Sequence, residues 1–187
     1  MLFNTLIPCF RQGIRVFRME PARRGFLRGR LPVPGGVVLR PPGALEESAF
    51  QKACTRCRGC LDACPTRIVR GGGGGYPEVD FTQGECTFCG ACIAACTPRA
   101  LVGTGGPPEV SAVRALWSMR AQLDEGCLAR HGVECRVCGE VCPERAIVFR
   151  PRLGGVALPA LDVAQCTGCG ACVAPCPARA ISMERQQ

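Results

Sequence analysis

The sequence predicts an α+β chain made of two tandem copies of one small unit, joined by a short helix. Three observations lead there: a four-cysteine run recurs along the chain, the runs pair by spacing, and each pair encloses a hairpin signal. The 187 residues include 17 cysteines, 24 glycines and 16 prolines but only 5% aromatic residues. So few large apolar side chains fill a single core poorly, and another agent must organise the chain.

The runs identify that agent. "CTRCRGCLDACP" spaces Cys54, Cys57, Cys60 and Cys64 as x2, x2 and x3, followed by Pro65. "CTFCGACIAACTP" repeats the spacing with Cys86, Cys89, Cys92 and Cys96, with Thr97 inserted before Pro98, and "CTGCGACVAPCP" repeats it with Cys166, Cys169, Cys172, Cys176 and Pro177. The remaining run, "GVECRVCGEVCP", has Cys135, Cys138 and Cys142 but Gly132 where its first cysteine belongs.

Short gaps separate runs one and two and runs three and four, and a longer gap separates the pairs. Each short gap reads as two β-branched segments around a glycine-rich turn, the first with Gly71 to Gly75 at its tip. Between the pairs, Val113, Leu116, Trp117 and Leu123 recur at roughly helical spacing after Pro107 and Pro108, which predicts a connecting helix in which Trp117 is a packing residue. The expected organisation is a basic, mostly irregular arm over 1–47, a first unit over 48–104, a helical connector over 105–126 and a second unit over 127–187.

Thiols in this pattern suit iron and sulfur. The x2 steps wrap a tight loop round a cubane, small residues at Gly59, Gly90, Ala91, Gly168, Gly170 and Ala171 let backbone N–H groups approach, and the x3 step turns the fourth sulfur away. In bacterial-type two-cluster ferredoxins that fourth cysteine ligates the other cluster, so two tandem ferredoxin-like units and four 4Fe–4S clusters are expected, three if the third site is empty. Zinc sites join two x2 pairs, often with histidine, and four-cysteine runs ending in proline are not built that way.

The crosswise rule gives Cys54, Cys57, Cys60 and Cys96 to one cluster and Cys86, Cys89, Cys92 and Cys64 to the next. Cys166, Cys169, Cys172 and Cys142 form another, and Cys135, Cys138 and Cys176 supply three corners of the last. Cys127, eight positions before Cys135, is the nearby unassigned thiol and is expected to close it through a longer loop; the alternative ligand is His131.

The net charge of +8 does not predict nucleic-acid binding, because residues 1 to 40 hold eight arginines against Glu20. Four loaded clusters add about −8, leaving an acidic body with a basic arm. That arm contains "ARRGFLRGR"; its arginines Arg23, Arg24, Arg28 and Arg30 suit an acidic partner or the acidic body itself. It resembles a twin-arginine export signal, but Pro32, Pro34, Gly35 and Gly36 interrupt the apolar stretch such a signal needs. Residues 1 to 18 are apolar and basic, read either as an overextended start before Met19 or as a membrane-surface segment, with Cys9 a leftover thiol. With no integral membrane segment and no secretory signal, reduced thiols in the cytoplasm are expected. No nucleophile or acid–base pair is recognisable, so no independent enzyme activity is expected.

Together, "RRGFLRGR", "ACTRCRGCLDAC", "GGYPEVDFTQGECTFCGACIAAC", the spaced "GCLARHGVECRVCGEVC", "IVFRP" and "CTGCGACVAPCPARAI" resemble the NapF family of ferredoxin-type proteins. The likeness spans about residues 21 to 183 and includes the irregular third run; Thr97 and the segment 1 to 18 depart from it. The resemblance implies a cytoplasmic accessory of periplasmic nitrate reductase systems. Such a protein binds the NapA-like catalytic subunit before export and assists its maturation, by cluster insertion or reduction. A plain electron carrier for an oxidoreductase is the alternative.

Overall fold

The computed structural model describes residues 38–103 and 109–186. The basic arm with Arg23, Arg24, Arg28 and Arg30, the segment 1 to 18 and Pro107–Pro108 lie outside the described residues.

The first hairpin forms where the sequence places it. β1 (Val69–Gly71) pairs antiparallel with β2 (Pro77–Val79), in the register Val69 to Val79 and Gly71 to Pro77. A 3-10 turn, Gly73–Gly75, closes the tip with Gly74 and Gly75 at φ of 65° and 81°, which glycine adopts without penalty. The glycine run is therefore a built turn, fastened by the Gly73 N–H donating to the Glu78 carboxylate at 3.0 Å.

Two short helices carry the cysteine loops of this half. α1 (Glu47–Ala53) leads into Cys54 and seats Phe50 fully in the core. α2 (Gly59–Asp62) and α3 (Ala91–Ala94) each follow a left-handed residue, Arg58 or Gly90, and pack against one another.

The second half repeats the plan with longer strands. α4 (Val110–Ala115) precedes β3 (Met119–Leu123), α5 (Val137–Glu140) follows the third loop, and β4 (Ile147–Arg152) pairs with β5 (Gly155–Leu161) as the second hairpin. β6 (Ile181–Arg185) closes the half by pairing antiparallel with β3. Met119, Ala121, Ile181 and Met183 are buried while Gln122, Ser182 and Glu184 face out, the period-two alternation of a half-buried ribbon.

The structure redraws two boundaries. Among its described residues the connector expected as a helix over 105–126 is helical over Val110–Ala115; Leu123, counted on that helix, lies on β3. β3 belongs to the second half because its hydrogen bonds go to β6, and that distant pairing outweighs a local helical spacing.

The arm expected over 1–47 also ends earlier, because residues 38–46 are packed into the first half. The Val79 N–H donates to the Leu39 carbonyl at 2.7 Å, Leu45 donates to Ala100 at 3.1 Å, and Ala44 bridges Leu101. Arg40, 7% exposed, donates to Glu47 at 2.7 and 3.0 Å and to the Pro77 carbonyl at 2.9 Å, with its guanidinium 4.9 Å from the centre of the Phe50 ring. This strap occupies the position that β3 holds in the second half: Leu45 bonds Ala100 there as Asp124 bonds Ala180 here.

One hydrophobic core runs through both halves, and Trp117 is its joint. Its ring meets Phe81 and Phe88 edge-on, at centroid distances of 6.2 and 6.3 Å, and its indole N–H donates to the Gly168 carbonyl at 2.9 Å. Arg114 adds an ion pair with Glu144 at 2.8 Å and stacks on Phe88.

Candidate metal centres

Sixteen cysteines lie among the described residues, all with free thiols, and they gather in four groups. The sulfur of Cys60 interacts with those of Cys96, Cys54 and Cys57. Cys92 likewise feels Cys86, Cys64 and Cys89; Cys138 feels Cys127, Cys135 and Cys176; and Cys172 feels Cys169 and Cys166 and, from the neighbouring group, Cys138, while Cys142 acts on Cys169. The x3 step that ends each run produces this exchange. α2, for example, holds Cys60 in the first group and delivers Cys64 to the second.

Three of the groups line cavities. Cys64, Cys86, Cys89 and Cys92 line one, Cys142, Cys166, Cys169 and Cys172 another, and Cys127, Cys135, Cys138 and Cys176 the third. The walls are otherwise mostly apolar, with Ile68, Val69 and Val113 in the first of these and Leu123, Val137 and Ile181 in the last. Among the described residues no three Cys, His, Asp or Glu side chains are placed to share a single ion. Four sulfurs ringed about a space suit a cluster that presents one iron to each sulfur.

The protonation chemistry fits a cationic core. Burial pushes the Cys92 and Cys172 thiols up to about 12 and those of Cys60, Cys86 and Cys138 up to about 11, and neighbouring sulfurs add to the effect. Four thiolates crowded into an apolar pocket repel one another until iron neutralises them, so loading releases protons. Backbone N–H groups supply the rest. Leu101 donates to the Cys96 sulfur, Ala146 to Cys142 and Ala180 to Cys176, each at 3.3 Å. At Cys64, burial raises the thiol pKa, but hydrogen bonds from Val69, Thr66 and Ile68 outweigh it and the net shift is downward.

The loop of the irregular third run brings Cys127 to the other three sulfurs. Cys127 stands three residues after the Asp124–Ala180 hydrogen bond and lines the cavity with Cys135, Cys138 and Cys176. The extra residues coil into turns, with Arg130 N–H bonded to the Cys127 carbonyl and Val133 N–H to that of Leu128, over a fully buried Ala129. Gly132 is exposed, and a Cβ built on it meets nothing within 4 Å. His131 is outside the sulfur group, with Nε2 3.0 Å from the Glu125 carbonyl.

A feature that sequence reasoning missed accompanies every fourth cysteine. Arg67, Arg99, Arg145 and Arg179 each lie three residues beyond it, at φ of 55°, 54°, 50° and 50°. Each donates its N–H to that cysteine's carbonyl, at 3.0 to 3.1 Å. The signal was visible as "CPTR", "CTPR", "CPER" and "CPAR", a fourfold arginine at one register. The exchanged order Thr97–Pro98 leaves the turn intact, since Arg99 still reaches Cys96 at 3.0 Å.

Comparison with known proteins agrees with this geometry. Two matches to 4Fe–4S dicluster domain families cover residues 48–97 and 133–180. Ferredoxin-type protein NapF of Escherichia coli strain K12 is 42% identical over 167 residues, covering 89% of this chain and 96% of that protein. The chain belongs to the NapF family of ferredoxin-type proteins. NapF of Haemophilus influenzae is 43% identical over 170 residues, and the methylamine utilization ferredoxin-type protein MauM of Methylobacillus flagellatus is 36% identical over 160, covering 68% of that protein. Two dicluster domains provide for up to four 4Fe–4S clusters, and this NapF-type chain has an iron–sulfur electron-transfer or accessory role. The second family match begins at residue 133, after Cys127, which the structure places on the cavity of Cys135, Cys138 and Cys176. Among the described residues no helix is long and apolar enough to cross a membrane.

Proposed function

We propose that the four thiol groups ligate four 4Fe–4S clusters crosswise: Cys54, Cys57, Cys60 and Cys96; Cys64, Cys86, Cys89 and Cys92; Cys142, Cys166, Cys169 and Cys172; and Cys127, Cys135, Cys138 and Cys176. The carrying observation is that each of the three cysteine-lined cavities draws its four sulfurs from two runs of one half. When bound, the clusters supply one-electron reduction and oxidation.

On this scaffold the protein acts as a cytoplasmic accessory to a NapA-like catalytic subunit of periplasmic nitrate reductase, assisting its maturation before export by inserting a cluster or delivering electrons. Kinship over nearly the whole length of NapF supports this reading. Arg23, Arg24, Arg28 and Arg30 of the basic arm are its proposed contacts with that partner. A pull-down with the catalytic subunit still carrying its export signal tests it. Capture of that form is expected, and capture of the exported, fully loaded enzyme alone would sink the maturation role. The electron-carrier reading is favoured by one observation, the contact between cluster loops of the two halves.

A further inference from the structure

We infer that the four cysteine groups form a single series, in the order Cys54/57/60/96, Cys64/86/89/92, Cys142/166/169/172, Cys127/135/138/176. The Cys86–Cys169 contact is the crossing between halves. The inference rests on the ligand sets proposed above and adds their order, which fixes two inner and two outer sites.

Within each half, adjacency follows from shared short turns. Cys60 and Cys64 leave α2 for the first and second groups, and Cys138 and Cys142 leave α5 for the fourth and third. Between halves, the loops that meet are those of the second and third groups. The Cys86 N–H donates to the Cys169 carbonyl at 2.8 Å. Phe88, inside the Cys86–Cys89 loop, lies against Trp117, which holds the Gly168 carbonyl of the Cys166–Cys169 loop.

Gly170 closes the seam between the halves: its φ is 80°, and a Cβ there would overlap the Phe81 ring of the first half. With clusters bound, the series would pass electrons one at a time from a low-potential one-electron donor at one end to an oxidised acceptor at the other, with no bond made or broken.

The order is tested by electron paramagnetic resonance of the full chain reduced with dithionite. Cys60→Ala with Cys138→Ala disables the outer sites, and Cys92→Ala with Cys172→Ala disables the inner ones. Iron analysis of each should give about eight atoms per chain, and a value far from that overturns the ligand sets and the series with them. With iron correct, spin–spin broadening is expected in the first variant and isolated signals in the second; the reverse, or broadening in neither, overturns the order while sparing the ligands. If a double variant fails to fold, Cys92→Ala alone makes the test. About one spin in three is then isolated, from the group containing Cys60, and three mutually coupled spins overturn the order.

Discussion

Arg40 and Glu47 hold each other through two hydrogen bonds of 2.7 and 3.0 Å, and this pair clamps the strap 38–46 onto the first half. The Arg40 hydrogen bond holds the Glu47 carboxyl at about 2, well below its ordinary 4.5. A depressed carboxylate stabilises the fold above its unfolded value, and that contribution is lost as pH falls from 4.5 through about 2. Anaerobic thermal melts of Glu47→Gln should therefore lie below wild type at neutral pH and converge with it near pH 2. Glu47 is 43% exposed, so solvent screens the pair; Arg40→Ala, which also removes the bond to Pro77, should cost about 2 kcal/mol.

Cys127→Ala should lower iron from about sixteen to about twelve atoms per chain, while His131→Ala should leave it unchanged. Iron and labile sulfide analysis decides this. Adding Gly132→Cys to Cys127→Ala should not restore the lost iron, because that position looks onto open space.

Arg145→Gly and Arg179→Gly should each raise stability by about 1 kcal/mol, because glycine relieves a left-handed residue. Calorimetric melts of the loaded protein measure it. Each substitution also removes a positive charge beside a negatively charged site, so the potential of that site should move downward in a redox titration.

Removing the clusters with an acidified chelator should abolish the cooperative melt and shift Trp117 emission to longer wavelength. Trp117 is 5% exposed only because both halves fold round it. The apolar side chains near the cavities are too few to hold the loops once the sulfurs are left facing one another.

Spacing made the cysteine runs and both hairpins legible, since each rests on residues near one another in the chain, and the repetition of the runs pointed to the exchange between them. Cys127 was legible for the same reason, as the spare thiol before a defective run. β3 was hidden because Met119 to Leu123 become a strand only by meeting Ile181 to Arg185 at the far end of the sequence. The strap was hidden likewise, its partners being Val79 and Ala100. The left-handed arginines escaped because arginine carries no local preference for that backbone; the turn after each fourth cysteine imposes it.

The crosswise exchange of sulfurs also sets a timetable for synthesis. As the chain leaves the ribosome, Cys54, Cys57 and Cys60 emerge early, but their set is completed only by Cys96, and the set begun by Cys127 waits for Cys176. Each half must be made nearly whole before its first-emerging thiols are protected. Until then they stand open to oxygen and to stray metals, which makes the nascent chain, more than the finished protein, the stage most exposed to both.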